Sequence, residues 1–246
     1  MPTKIKALWW VSSLVIVLGF IVLSYQTQME KVKAQAQADR DKQFQAQKTT
    51  GPDGEEIPRT VFNPIKVIKE LNALGKHQEA IDMAEVAASV KPNNAKVQMW
   101  WGISLVKAGK KGEAIKKFVR AADLDPTEPK TFLYWGLTLS MTGKLEEAIS
   151  KYENVVGLDP ENSNAYAYWG AALNLKGNFS GAIEKIQKSL DFNPINPISF
   201  DGMIQAYTGK GDYGMAWDWV ARARKDNILL PKDTVDHLAR KQPEPS

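Results

Sequence analysis

The chain has no cysteine and only two histidines, His77 and His237, among its 246 residues. The missing thiols exclude disulfides, a thiolate metal site and a cysteine nucleophile. Neither histidine has a second ligand at helical spacing, so no metal is expected. A dominant charge is missing too: the formal net charge is +4, shared evenly between the residues before and after position 60. A chain without a broad basic body is not expected to bind nucleic acid. There is no glycine-rich phosphate loop and no nucleophile elbow. Acid pairs such as Glu146-Glu147 fall where a helix would start and suit its dipole. Neither enzymatic activity nor a cofactor is expected.

Long apolar runs are absent but for one. Residues 8–24 read LWWVSSLVIVLGFIVLS, with no charge between Ala7 and Met29. That length matches the ~20 residues needed to span a bilayer. Trp9, Trp10 and Tyr25 stand at its ends, where amphipathic rings prefer the interface. A cleavable leader is the competing reading. Its small-x-small site would have to be Ala34-Gln35-Ala36, beyond the charged Glu30-Lys31-Val32-Lys33. The run therefore reads as an uncleaved transmembrane helix over 8–25 in contact with the lipid bilayer. The short tail, residues 1–7, stays inside, which in a bacterium puts the remainder in the periplasm. Residues 26–48 are rich in Gln, Ala, Lys and Asp and read as a polar helical stalk. Residues 49–60, TTGPDGEEIPRT, read as a linker.

The remainder is periodic. Pro92, Pro126, Pro160 and Pro194 are 34 residues apart. Gly75, Gly109, Gly143, Gly177 and Gly211 keep the same period, as do Ala80, Ala114, Ala148, Ala182 and Ala216. Gly102, Gly136 and Gly170 form a further series. Such a period indicates a solenoid of stacked units. In each unit a helix would end at a Gly able to take φ > 0. A second helix would follow and stop before Pro.

The phase and the residue types resemble the tetratricopeptide repeat (TPR) family. The second repeat places Gly102, Ala114, Phe118, Ala121 and Pro126 at that family's signature positions. The resemblance implies an all-α, right-handed superhelical solenoid of about five 34-residue helix-turn-helix repeats. They would occupy residues 61–94, 95–128, 129–162, 163–196 and 197–230, an array of 61–230. Residues 231–246 would be a capping helix, anchored by Val235 and Leu238, and a tail. The outer repeats depart from the pattern, with Ile68 and Ile204 where the inner ones have Gly.

Three aromatic pairs, Trp100-Trp101, Tyr134-Trp135 and Tyr168-Trp169, recur in phase. Neighbours on a helix point ~100° apart, so the two rings of a pair have different surroundings. By the resemblance, Trp101, Trp135 and Trp169 pack between the helices of a repeat. Trp100, Tyr134 and Tyr168 line a concave groove that holds a protein or peptide partner. Lys96, Met99 and Ile103, then Lys130, Leu133 and Leu137, then Asn164, Ala167, Ala171 and Asn174 complete that lining. A full carboxylate clamp is absent, since Ile65 and Trp100 occupy two of its places. Lys107, Lys110, Lys111, Lys116, Lys117 and Arg120 form a basic cluster that reads as a solvated outer face. The expected function is a membrane-anchored interaction scaffold that aids assembly of a membrane or envelope complex. Two alternatives stay open: a permanent subunit of a membrane complex, and a scaffold that self-assembles into homo-oligomers on the membrane.

Overall fold

The computed structural model describes residues 63–245. The expected anchor, stalk and linker, residues 8–60, lie outside them. Among the described residues no helix is long and apolar enough to cross a membrane. These residues form eleven helices and no strands. In order they are α1 (Pro64–Ala73), α2 (His77–Val90), α3 (Ala95–Lys107), α4 (Lys111–Leu124), α5 (Pro129–Ser140) and α6 (Leu145–Leu158). Then follow α7 (Ser163–Leu175), α8 (Phe179–Phe192), α9 (Pro197–Lys210), α10 (Tyr213–Lys225) and α11 (Lys232–Lys241).

Local chemistry sets these boundaries. Gly109 has φ +80°, and the other four glycines of its series also lie in the left-handed region. A side chain there would be strained, so Gly closes the turn into each second helix. Four-residue loops lead from each second helix to the next first helix. The last loop residue caps that helix: Asn94 accepts from the Val97 N–H, Asn162 from Ala165 and Asn196 from Ile198. Glu128 plays the same part for α5 by accepting from Lys130. Each such cap stabilises its helix by about 1 kcal/mol. Pro at the first turn of α1, α5 and α9 gives up an N–H that has no helical partner there.

The helices stack as five antiparallel pairs plus the single α11. Each first helix (α1, α3, α5, α7, α9) touches the next first helix, whereas no two second helices touch among the described residues. The first helices therefore line the inner side of the stack and the second helices its outer side.

Within each pair one contact fixes the approach. A Cβ added to Gly136 would lie 2.6 Å from the ring of Tyr152; at Gly102 it would lie 2.6 Å from Phe118, and at Gly170 2.3 Å from Ile186. Those three side chains are buried and need the space that the glycines leave. The two ends depart from this arrangement. Ile68 shares its cluster with the small Ala84, and Ile204 packs with Val220. All four are at most 1% exposed. Large faces small in the first four repeats, with the order exchanged in the first; in the fifth, Ile204 meets the mid-sized Val220.

The chain closes with α11. Leu238 is fully buried, Val235 packs beside it, and the Trp217 indole N–H donates to the Gln242 carbonyl at 3.1 Å. The helix's other side presents Asp233, His237, Arg240 and Lys241 to solvent. Where an inner repeat carries apolar residues to meet its second helix, α11 carries charge, and the stack stops there.

Replacing Gly136 by Ile is expected to lower stability by about 2–3 kcal/mol through overpacking against Tyr152. Combining it with Tyr152→Ala rebuilds the Ile68–Ala84 arrangement. A double-mutant cycle in urea should show the two changes coupled favourably by about 1 kcal/mol or more. Simple additivity would sink the volume-matching account.

Candidate partner-binding face

The inner face is built from three half-buried rings, Trp100 on α3, Tyr134 on α5 and Tyr168 on α7. Each rests on the preceding repeat. Tyr168 stacks on the buried Tyr152 with centroids 6.3 Å apart and planes at 24°. Tyr134 packs against the cluster that holds Phe118, and Trp100 against the one that holds Ala84. The Nζ of Lys69 lies 4.9 Å from the Trp100 ring centre. Leu133 and Leu137 are half-buried beside the rings, and Lys96, Lys130 and Asn164 are exposed. Asn164 accepts a hydrogen bond from the Asn196 amide at 3.1 Å.

Four residues expected in the lining are not free to serve it. Met99 and Ile103 are each 4% exposed, absorbed into the cluster around Phe118. Asn174 is 8% exposed, and its amide donates to the Gly202 carbonyl at 2.8 Å, tying the fourth repeat to the fifth. Ala167 is buried as well. Inner-face helical positions close to the neighbouring repeat are consumed by the stack itself. The ladder of rings also ends at that junction: Gly202 holds the corresponding place in α9, with Ile186 pressed against it.

The other member of each aromatic pair is neither free nor fully buried. Trp101, Trp135 and Trp169 pack on the core clusters with one side and are covered on the other by a lysine of the second helix. The Nζ–centroid distances are 3.2 Å for Lys117–Trp101, 4.2 Å for Lys151–Trp135 and 4.5 Å for Lys185–Trp169. A lysine stem over a ring shields apolar area while the ammonium meets the π face. Burial pushes the Lys117 ammonium below the usual lysine range, opposed by Glu85 and Glu113. These lysines also keep the 34-residue period, a signal that points to them once the period is known. The expected basic cluster is correspondingly divided. Lys117 covers Trp101, Lys110 donates to Gln78 at 3.2 Å, and Arg120 donates to Asn93 at 2.8 Å.

Polar contacts also pin particular repeats to each other. The Asn72 amide donates to the Ser104 hydroxyl at 2.7 Å across the first junction. Ser163, Ser189, Asn196 and Ser199 form a hydroxyl and amide network across the fourth, with Ser199 donating to Ser189 at 2.6 Å. No group of His, Asp or Glu suited to a metal is present among the described residues.

With this geometry in hand, the comparisons place the chain. A family model for the tetratricopeptide repeat matches residues 69–129 and 135–197. The chain belongs to the tetratricopeptide repeat family, whose stacked helix pairs are a protein-interaction fold. MamA from Desulfovibrio magneticus RS-1 is 20% identical, with a TM-score of 0.59 over 74% of this chain and 99% of that one. TTC0263, a thermophilic TPR protein of Thermus thermophilus, is 19% identical, with a TM-score of 0.59 over 73% and 97%. YrrB, described as a TPR protein with an unusual peptide-binding site, is 16% identical, with a TM-score of 0.52 over 74% and 86%. At these identities the likeness speaks to the fold alone. No curated protein matches the chain by sequence.

Tyr152 gives the site a pH signature. Burial pushes its phenol up to about 12, against a smaller opposing effect of its hydrogen bond with Ser140. The folded state therefore keeps a proton that the unfolded chain releases near pH 10. Its contribution is present below about pH 10 and is lost as pH rises toward about 12, by up to about 3 kcal/mol. Tyr152→Phe should be less stable than the parent at about pH 8, by about 1 kcal/mol for the lost hydrogen bond. Urea titrations at rising pH should show that gap close and reverse above about pH 10. A gap independent of pH would show that Tyr152 ionises as freely in the folded protein as in the unfolded one.

Proposed function

We propose that this protein is a single-pass, membrane-anchored scaffold. Its inner helical face holds a segment of a partner protein, and the work served is assembly or maturation of a membrane or envelope complex. What supports the groove is the ladder Trp100, Tyr134, Tyr168. These are large half-buried rings resting on the stack, Trp100 also beneath the Lys69 ammonium, flanked by Leu133 and Leu137 and the exposed Lys96 and Lys130. Supported rings give contact area at low entropic cost, the character of interface anchors. YrrB, with the same fold, carries a peptide-binding site, which makes such use of the stack reasonable.

Support for the anchor is the uncharged run 8–24 alone. With the short tail inside, the repeats face the periplasm if the source is a bacterium. Anchoring would confine the repeats to the bilayer surface and raise their effective concentration toward other membrane-bound proteins.

The groove is tested by co-purification of the full chain from native membranes in mild detergent, with and without Tyr134→Ala/Tyr168→Ala. One partner should accompany the parent and be lost from the variant. Tyr134→Ala should cost under about 2 kcal/mol of stability, because the ring packs on a single cluster, whereas the larger Trp135 packs on three and its change to Ala should cost about 3 kcal/mol. Retention of the same partners by the variant would move the interface to the outer face or the anchor.

For the anchor, alkaline carbonate washing of membranes should leave the full chain in the pellet and release a form lacking residues 1–25. Release of the full chain would exclude a spanning segment.

A further inference from the structure

The inner face is charged on one side only. Helices α3, α5 and α7 carry Lys96, Lys107 and Lys130 and no acid at all, and α1 adds Lys66 and Lys69 against Glu70. The acids of these repeats sit on the outer helices, Glu113, Glu147, Glu153 and Glu184 among them, or in the loops, as Asp125, Glu128, Asp159 and Glu161 do. Lys69, Lys96, Lys107 and Lys130 enter no ion pair among the described residues, whereas Lys66 pairs with Glu70. Two acids at the loop edge, of which Asp125 feels the Lys96 charge, are already engaged. Asp125 accepts from the Thr127 N–H and hydroxyl, and Glu128 accepts from the Lys130 N–H.

Two of these lysines stand against a local rule. Lys96 and Lys130 lie in the first turns of α3 and α5, where the helix dipole disfavours a cation, and those turns contain no acid. Three of the outer helices, α2, α4 and α6, also start at a lysine (Lys76, Lys110 and Lys144), but each offsets it with acid in the first turn: Glu79, Glu113, and Glu146 with Glu147. At α5 the Glu128 carboxylate caps the helix end beside Lys130, and at α3 the Thr127 hydrogen bonds, helped by the Lys96 charge, hold Asp125 below the usual carboxylate range. A further anion lying along these turns would meet a lysine that enters no ion pair.

Toward the other end the charge is mixed: α9 and α11 carry Asp201, Asp233 and Asp236 beside Lys210, Lys232, Arg240 and Lys241, with Asp236 paired to Lys232 and Asp201 accepting from Thr234 at 2.5 Å. Lys69, Lys96, Lys107 and Lys130 lie on the first three repeats and the rings on the second to fourth, and Gly202 takes the ring's place in the fifth.

Building on the groove assigned under Proposed function, we infer that the occupant is an extended acidic polypeptide segment. Its carboxylates lie over the first three repeats, on Lys69, Lys96, Lys107 and Lys130. Its apolar side chains alternate with them and rest on Trp100, Tyr134 and Leu137. A single-stranded nucleic acid could also stack on rings, but the Leu133 and Leu137 flanks suit a peptide better.

The test uses a library of random twelve-residue peptides, selected on the immobilised full chain and counter-selected on the Tyr134→Ala/Tyr168→Ala variant. Recovered peptides should hold at least twice the library's share of Asp and Glu, interleaved with apolar residues. A recovered peptide should lose at least about fivefold in affinity on Lys96→Gln/Lys130→Gln at low salt, with a weaker salt dependence. Neutral or basic recovered peptides would overturn the acidic partner and leave the groove standing. Peptides that survive counter-selection, or no recovery, would remove the groove and the inference with it. Tighter binding of a labelled twelve-residue oligothymidylate, lost in Tyr134→Ala, would replace the peptide by nucleic acid.

Discussion

Every repeat depends on how closely its two helices can approach, and one pair of side chains decides that distance. The first helix offers Gly and the second offers Phe118, Tyr152 or Ile186; at the ends Ile68 meets Ala84 and Ile204 meets Val220. A glycine inside a helix costs about 1 kcal/mol against alanine. It is retained where a ring fills the space, because interiors at this density tolerate neither void nor overlap. The first repeat thus keeps the packing rule of the inner ones while breaking the sequence pattern, and the fifth fills the same place with two branched side chains.

The same buried side chain does a second job. Tyr152 fills the space above Gly136 and also carries Tyr168 of the next repeat on its other face. Ile186 likewise lies between Gly170 and Gly202. The inner-face rings are therefore positioned by the core and not by loops. Their orientation is fixed before any partner arrives, which lowers the ordering cost of binding. A change in that core residue would alter stability and groove together. Binding measurements on core variants therefore report both effects, and only exposed groove positions separate them.

The period, the turn glycines and the helix order were legible because each is enforced by a backbone requirement that few residues satisfy. The division of each aromatic pair between two surroundings was legible from helical geometry. Three things were less so. Met99, Ile103 and Asn174 share the inner side of their helices with the rings, but the neighbouring repeat covers them, and coverage depends on stacking rather than on position in one helix. The lysine covers on Trp101, Trp135 and Trp169 join residues from two helices, and Lys117 alone looks like one more charge in a basic run. The capping series Asn94, Glu128, Asn162 and Asn196 keeps the period, yet mixes two residue types and so stands out less than proline.

Charge follows a different logic from packing. Lys117, Lys151 and Lys185 are spent on covering tryptophan, and their removal would expose apolar area on the outer side. Lys96 and Lys130 cover nothing and sit at helix starts that disfavour them. Lysines also stand at the starts of α2, α4 and α6, as Lys76, Lys110 and Lys144, but an acid in the first turn of each offsets them. The first turns of α3 and α5 hold no such acid. Lys96 and Lys130 both fall on the inner face beside the aromatic ladder, the face on which the proposed partner would lie.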